Sequence, residues 1–206
     1  MNPAYQSALQ YLFEKGKRRY GNRFTIQEAD LPVICRLICW FMRDHVNALR
    51  IGLDFTKGIL LNGPVGCGKT SLMELMQTFR NELPPYTIKP CRDISFEFQK
   101  GGFGIVHKYS ALEYQGTGTG SMPKIYCFDD LGTELTLKHF GQECNVMTEI
   151  LSSRYEHYIH NDMITHITTN LNADEIEQVY GLRVRSRLRQ MCNLIAFPPE
   201  TPDKRQ

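Results

Sequence analysis

Hydrophobic positions along this chain switch between two spacings. Between Leu31 and Leu49 they fall at Leu31, Ile34, Cys35, Ile38, Phe41, Met42, Val46 and Leu49, three or four residues apart. That spacing predicts a helix, with Asp30 as its N-cap. The segment KGILLNG is instead a short unbroken apolar run, the pattern of a strand buried on both faces. Helical spacing returns from Thr70 to about Asn81, with Leu72, Leu75, Met76 and Phe79 on one side, until Pro84 and Pro85 stop it. The alternation then continues. YTIKPC predicts a strand, and residues 93–100 a helix that Gly101, Gly102 and Gly104 break. GTGTGSMP, residues 116–123, predicts a flexible loop. KIYCFDD is a buried strand ending in two acids, VMTEILSSRYEHYI a helix and MITHITTN a strand. Asn172 caps the next helix, with Glu175 completing a capping box. NLIAF is the last strand before a Pro-rich, charged tail. A further helix is expected over residues 3–15.

Strands alternating with helices predict an α/β fold: a parallel sheet with helices on both faces. The domain reading is an N-terminal helical segment over residues 1–50 and a core over 51–206. In such sheets ligands bind beyond the carboxyl ends of the strands, so those ends are where chemistry is expected.

The first strand runs into GPVGCGKT, and this match to G-x-x-x-x-G-K-[ST] lies between a strand and a helix, as a phosphate loop must. Gly63, Pro64, Val65, Gly66, Cys67 and Gly68 form the turn, whose N–H groups can wrap a phosphate. Lys69 can reach the terminal phosphates, the Thr70 hydroxyl can ligate Mg²⁺, and Ser71 follows on the helix. The strand ending in Asp129 and Asp130 supplies the acids. Asp129 is expected to coordinate the metal, and Asp130 to position and polarise an attacking water. Glu134, four residues on, is a second candidate for that base role. THITTN delivers Asn170 at a strand end, where its amide can bond the γ-phosphate or the water.

LRVRSRLRQ, residues 182–190, places Arg183, Arg185, Arg187 and Arg189 within nine residues of a chain whose net charge is only +2. As a strand it would put all four on one face; as a helix it leaves Val184, Leu188, Met191 and Cys192 as an apolar stripe. The helix is the consistent reading. Such a helix is either a solvated basic surface or the bearer of an arginine built to touch a phosphate. A second basic segment, KGKRRYGNR at 15–23, reads as an exposed turn or a phosphate-contacting arm. The Lys100–Lys108 region, with Phe103, His107 and Tyr109, reads as a glycine-broken loop or a surface on which bases stack.

Composition narrows this further. The 206 residues are 42% hydrophobic and 22% charged, which suits a globular domain. Seven cysteines without a CxxC pair or zinc-finger spacing suggest reduced, mostly buried thiols and a cytoplasmic setting. No stretch has membrane-spanning length.

A phosphate loop, then DDLG, then TTN, then SRL in this order resembles the AAA+ ATPases of the DnaC/IstB group over roughly residues 55–197. The resemblance implies a five-stranded parallel sheet, ATP as nucleotide, DNA (single-stranded more than duplex) as partner, a helicase or transposase as protein partner, and a homo-oligomer. It also implies that Arg187, with Arg183 nearby, is an arginine finger entering the neighbouring subunit's ATP site. Only PPETPDKRQ follows the last strand, so a full C-terminal lid is not expected. Two other classes fit the phosphate loop: a small-molecule (nucleotide or nucleoside) kinase, and a nucleotide-gated binding module with negligible hydrolysis.

Overall fold

The computed structural model describes residues 3–79, 83–115, 122–135, 137–139 and 142–205, with backbone alone for 137–139 and 142–144. The predicted helix end at Asn81 and the predicted loop as far as Ser121 lie outside the described residues. In chain order the elements are α1 (Pro3–Tyr20), α2 (Leu31–Phe41), α3 (His45–Ile51), β1 (Gly58–Asn62), α4 (Lys69–Met76), β2 (Thr87–Pro90), α5 (Cys91–Gly101), α6 (Phe103–Ser110), β3 (Tyr114–Gln115), β4 (Met122–Pro123), β5 (Tyr126–Leu131), β6 (Leu137–His139), β7 (Gln142–Cys144), α7 (Val146–Asn161), β8 (Thr165–Thr169), α8 (Ala173–Met191) and β9 (Cys192–Ala196). Five strands form one sheet in the order β2-β5-β8-β1-β9. Every pair in it is parallel.

The period-two geometry of β1 divides the core. Ile59 and Leu61 join the apolar cluster built with α1, α2 and α4, while Leu60 joins the cluster built with α5, α6, α7 and α8. A strand covered on both faces has no polar alternation to show, which is why β1 reads as an unbroken apolar run. The described cysteines are free thiols, with Cys39, Cys67, Cys91, Cys127 and Cys192 buried. No described helix is long and apolar enough to cross a membrane.

Several predicted elements change. The helix expected over Leu31–Leu49 is two helices. Arg43 adopts φ 57°, α2 ends, and the Asp44 side chain accepts from Asn47 N–H to cap α3. Asp30 makes no side-chain cap bond. It is 1% exposed, and its Oδ2 accepts from Gln27 N–H (2.8 Å) and from Lys204 Nζ (2.5 Å). The basic segment expected as a turn is helical as far as Tyr20, and only then does Gly21 (φ 79°) end α1. Gly102 does break the chain, but Phe103–Ser110 is helix rather than loop. Tyr109 is therefore not an exposed stacking surface. It is 3% exposed, packed edge-on against Tyr126, and donates to Glu97 (2.9 Å). The Asn172–Glu175 capping box forms as expected. The arginine segment is helical too, set off from the capped half of α8 by a kink at Gly181, whose φ of 83° and ψ of 162° suit glycine.

Two buried basic groups hold the sheet to its surroundings. Arg154 on α7 is fully buried and donates to Thr165 Oγ1 (2.8 Å) and to the carbonyls of Tyr109, Lys124 and Ile164 (3.0–3.1 Å). Burial lowers its pKa to about 9. His166 on β8 sits among Trp40, Phe41 and Tyr86, with ring centroids 4.9–5.6 Å away. Its Nδ1 accepts from Ile59 N–H (3.1 Å), which places the proton on Nε2. Burial first, then Arg43 and Arg154, lower its pKa from 6.5 to about 3.

The folded state thus refuses a proton that the unfolded chain takes up below about pH 6.5. Stability is expected to hold above that pH and to fall as pH drops below it. By pH 4.5 the loss from this group is roughly 2–3 kcal/mol. Urea unfolding at pH 7.5 and 4.5 checks this: His166→Gln keeps an acceptor for Ile59, cannot titrate, and should lose most of that pH dependence.

Candidate functional site

β1 ends at Asn62, and the chain turns through Gly63–Gly68 into α4. The turn needs positive φ at Gly66 (80°) and Gly68 (98°). Lys69 is 6% exposed and folds back over its own loop, donating to the carbonyls of Gly63 (2.8 Å) and Pro64 (3.0 Å). The Thr70 hydroxyl lies 2.9 Å from both carboxylate oxygens of Asp129.

Asp129 comes from β5, and β8 lies between β5 and β1. Thr168 of β8 donates to Asp129 Oδ1 (2.6 Å) and accepts from Asp130 N–H (2.9 Å). The β5–β8 register slips between Phe128 and Leu131, and Asp130 takes φ 53° there. The slip separates the two acids. Asp129 stays 5% exposed beneath Thr70, while Asp130 is exposed and lines the cavity in front of the loop.

Burial raises the pKa of Asp129, and the neighbouring Asp130 charge adds to that. Bonds from Thr168 and Thr70 and the charge of Lys69 oppose it. A buried carboxylate beside a hydroxyl is a pair of hard oxygen donors, which fits Mg²⁺ carried in on phosphates. A cage of three or more His, Cys, Asp or Glu is absent among the described residues, and Mg²⁺ bound this way does not need one.

The cavity measures about 490 Å³. Gly66, Cys67, Gly68, Lys69, Thr70 and Ser71 line one side, and Tyr20, Phe24, Ile26 and Ile34 give it an apolar wall. The loop residues expected from the sequence are thus brought together. Gly63 and Pro64 contribute carbonyls to Lys69, and Val65 is 57% exposed on the loop's outer side.

The remaining candidates divide. Asn170 is exposed one residue beyond β8, outside the cavity lining. Glu134 has both oxygens engaged: Oε2 accepts from Gly132 N–H (2.9 Å), and Oε1 accepts from the Tyr180 hydroxyl. It does not line the cavity, whereas Asp130 and Asp30 both do. Arg183 is exposed on the second half of α8. Arg187 is held within its own chain, ion-paired to Glu156 (2.7 Å) and stacked over Tyr155 at 4.8 Å. Thr168 was not among the expected residues. Its signal was the second hydroxyl of THITTN, on the face opposite Ile167, and only the strand order shows which acid it meets.

No family model matches the sequence, and no curated protein does. Among solved structures, the chain is similar to the DnaC helicase loader at 20% identity, covering 69% of this chain and 79% of that one, with a TM-score of 0.49. It is similar to DnaI at 18% identity, covering 79% and 93%, again at 0.49. A third is AMPPCP-bound DnaA from Aquifex aeolicus, at 16% identity, 84% and 48% coverage, and 0.49. The α/β fold rests on the strand order and register above and takes nothing from these values.

Removing the Thr168 hydroxyl leaves a buried carboxylate oxygen and the Asp130 N–H short of a partner. Thr168→Val is therefore expected to lower unfolding stability by about 1–3 kcal/mol. Thr168→Ser, which keeps the hydroxyl, should stay closer to wild type in the same denaturation experiment.

Proposed function

We propose that this chain binds Mg·ATP and hydrolyses it in a homo-oligomer whose neighbours share sites, and that the cycle loads or regulates a DNA-acting protein. The observation that carries the nucleotide part is the junction of Thr70 with Asp129 at the mouth of a glycine loop that holds a buried lysine. Lys69 now satisfies two loop carbonyls; phosphate oxygens would draw its ammonium forward by offering a stronger, charged acceptor. Loop N–H groups and the α4 N-terminus would hold the polyphosphate. Thr70 and Asp129 would hold Mg²⁺, whose charge offsets that developing on the phosphates. Asp130, exposed to the cavity, would orient the water and take its proton.

The assembly part rests on Arg187. Its planar, permanently charged group suits phosphate oxygens. Within one chain it is parked on Tyr155 and Glu156, so a neighbour's phosphates must compete for it. Arg183, exposed one helical turn away, is the alternative finger. The DNA-acting partner is supported by the ordered motifs and by the basic residues Lys15, Lys17 and Arg18 on the last turns of α1.

Lys69→Ala should lose ATP binding, and Asp130→Asn should bind Mg·ATP without turning it over. Arg187→Ala should bind ATP normally and hydrolyse it roughly a thousandfold more slowly. Mixing Lys69→Ala with Arg187→Ala should restore some activity, because an intact Arg187 from one then faces an intact phosphate loop from the other. Wild-type hydrolysis by Arg187→Ala, with no rise in specific activity as protein concentration increases, would return the arginines to a solvated surface.

A further inference from the structure

Beyond β9 the chain does not leave the domain. Phe197 N–H donates to Asn62 O (2.9 Å), Thr201 is 7% exposed, and Lys204 N–H donates to Gly66 O (3.0 Å) at the tip of the phosphate loop. The contact is close. A Cβ on Gly66 would fall 1.9 Å from Asp203 Oδ1, so the Asp203 side chain lies directly against the loop backbone. Lys204 Nζ reaches Asp30 Oδ2 at 2.5 Å and lies over the Phe197 ring at 5.6 Å. With Asp30 1% exposed, this ion pair is buried at the carboxylate end. The other oxygen, Asp30 Oδ1, has no hydrogen-bond partner among the described residues, although Asp30 lines the cavity.

Lys204 and Arg205 both line the cavity that Lys69 and Thr70 line. Their situations differ. Lys204 is committed to Asp30. Arg205 is 69% exposed and meets Asp203 Oδ1 only at 3.5 Å, while its N–H holds that same oxygen at 2.9 Å. An exposed guanidinium with a long ion pair gives up little on turning to a stronger anion. A bound triphosphate would be that anion, and a guanidinium meets phosphate oxygens bidentately.

We propose that residues 201–205 form a strap belonging to the nucleotide site: Lys204 locks the strap to Asp30 and Gly66, and Arg205 supplies a second cation, from the same chain, to the bound polyphosphate. This rests on the reading of the cavity as a nucleotide site. The strap explains why a carboxylate at the start of α2 is buried rather than capping a helix.

Calorimetric titration of Mg·ATP and of AMP into the full-length protein tests it. Arg205→Ala should weaken ATP by about tenfold and AMP by less than about twofold, because only the longer polyphosphate carries the extra charge. Arg205→Lys should recover part of the loss. Asp30→Asn combined with Lys204→Met removes the lock without leaving a buried charge; it should weaken ATP as much as Arg205→Ala, and adding Arg205→Ala to it should cost little more. ATP affinity within about twofold of wild type for Arg205→Ala, or equal losses for ATP and AMP, overturns the proposal. A wild type that fails to bind ATP, or a Lys69→Ala variant that binds it normally, overturns the nucleotide reading itself.

Discussion

Asp129 is a carboxylate at 5% exposure, and two hydroxyls from two other elements close on it. Thr70 comes from the first turn of α4 and Thr168 from β8, so this one side chain ties the phosphate loop to two strands of the sheet. Much of the site follows from it. With Asp129 fixed beneath Thr70, the register slip after Phe128 turns Asp130 outward to the cavity. With Thr168 occupied by both acids, β8 cannot shift along β5 without breaking two bonds at once. Burial works against the charge it encloses, raising the Asp129 pKa despite its hydrogen bonds. On the proposed reading, a divalent cation arriving with phosphate would relieve that cost.

The strands and the phosphate loop were legible because short-range physics decides them. A buried parallel strand shows as an apolar run, and a glycine loop before a helix shows as spacing. Asp129 and Asp130 were legible for the same reason, as the end of such a run. Contacts between segments far apart in sequence were not. Nothing local distinguishes Asp30 as the partner of Lys204, 174 residues away, from Asp30 as a helix cap. The same holds for Arg154, whose three carbonyl partners lie in three different segments, and for Tyr109, whose burial depends on Glu97 and Tyr126. The break between α2 and α3 hid behind apolar residues that kept helical spacing across it. Val46 and Leu49 continue the pattern, yet they are 66% and 86% exposed.

The C-terminal end of α1 and the segment beyond β9 both reach the cavity. Tyr20 and Phe24 stack at 5.8 Å beside the cavity, and Glu74 of α4 accepts from both Arg19 (2.6 Å) and Tyr20 (2.5 Å), fixing the end of α1 to the helix that begins at Lys69. Lys204 fixes the segment beyond β9 to Asp30. The apolar wall is thus anchored to α4, and the strap to Asp30 and to Gly66 of the loop itself. On the opposite face, α7 and α8 pack together through Tyr155, Glu156, Arg187 and Gln190. The basic half of α8 packs in the cluster of α5, α6 and α7, on the face of the sheet opposite α1, α2 and α4.

The account turns on Asp129 and Thr70 forming a metal site that exists only with the nucleotide. The Mg²⁺ dependence of ATP affinity, measured by titrating ATP with Mg²⁺ and then with EDTA, tests this directly. Wild type should bind ATP more tightly with Mg²⁺. Asp129→Asn and Thr70→Val should each lose most of that enhancement while keeping the metal-free affinity that Lys69 and the loop provide. An enhancement that survives both substitutions, or a wild type whose ATP affinity ignores Mg²⁺, would contradict it.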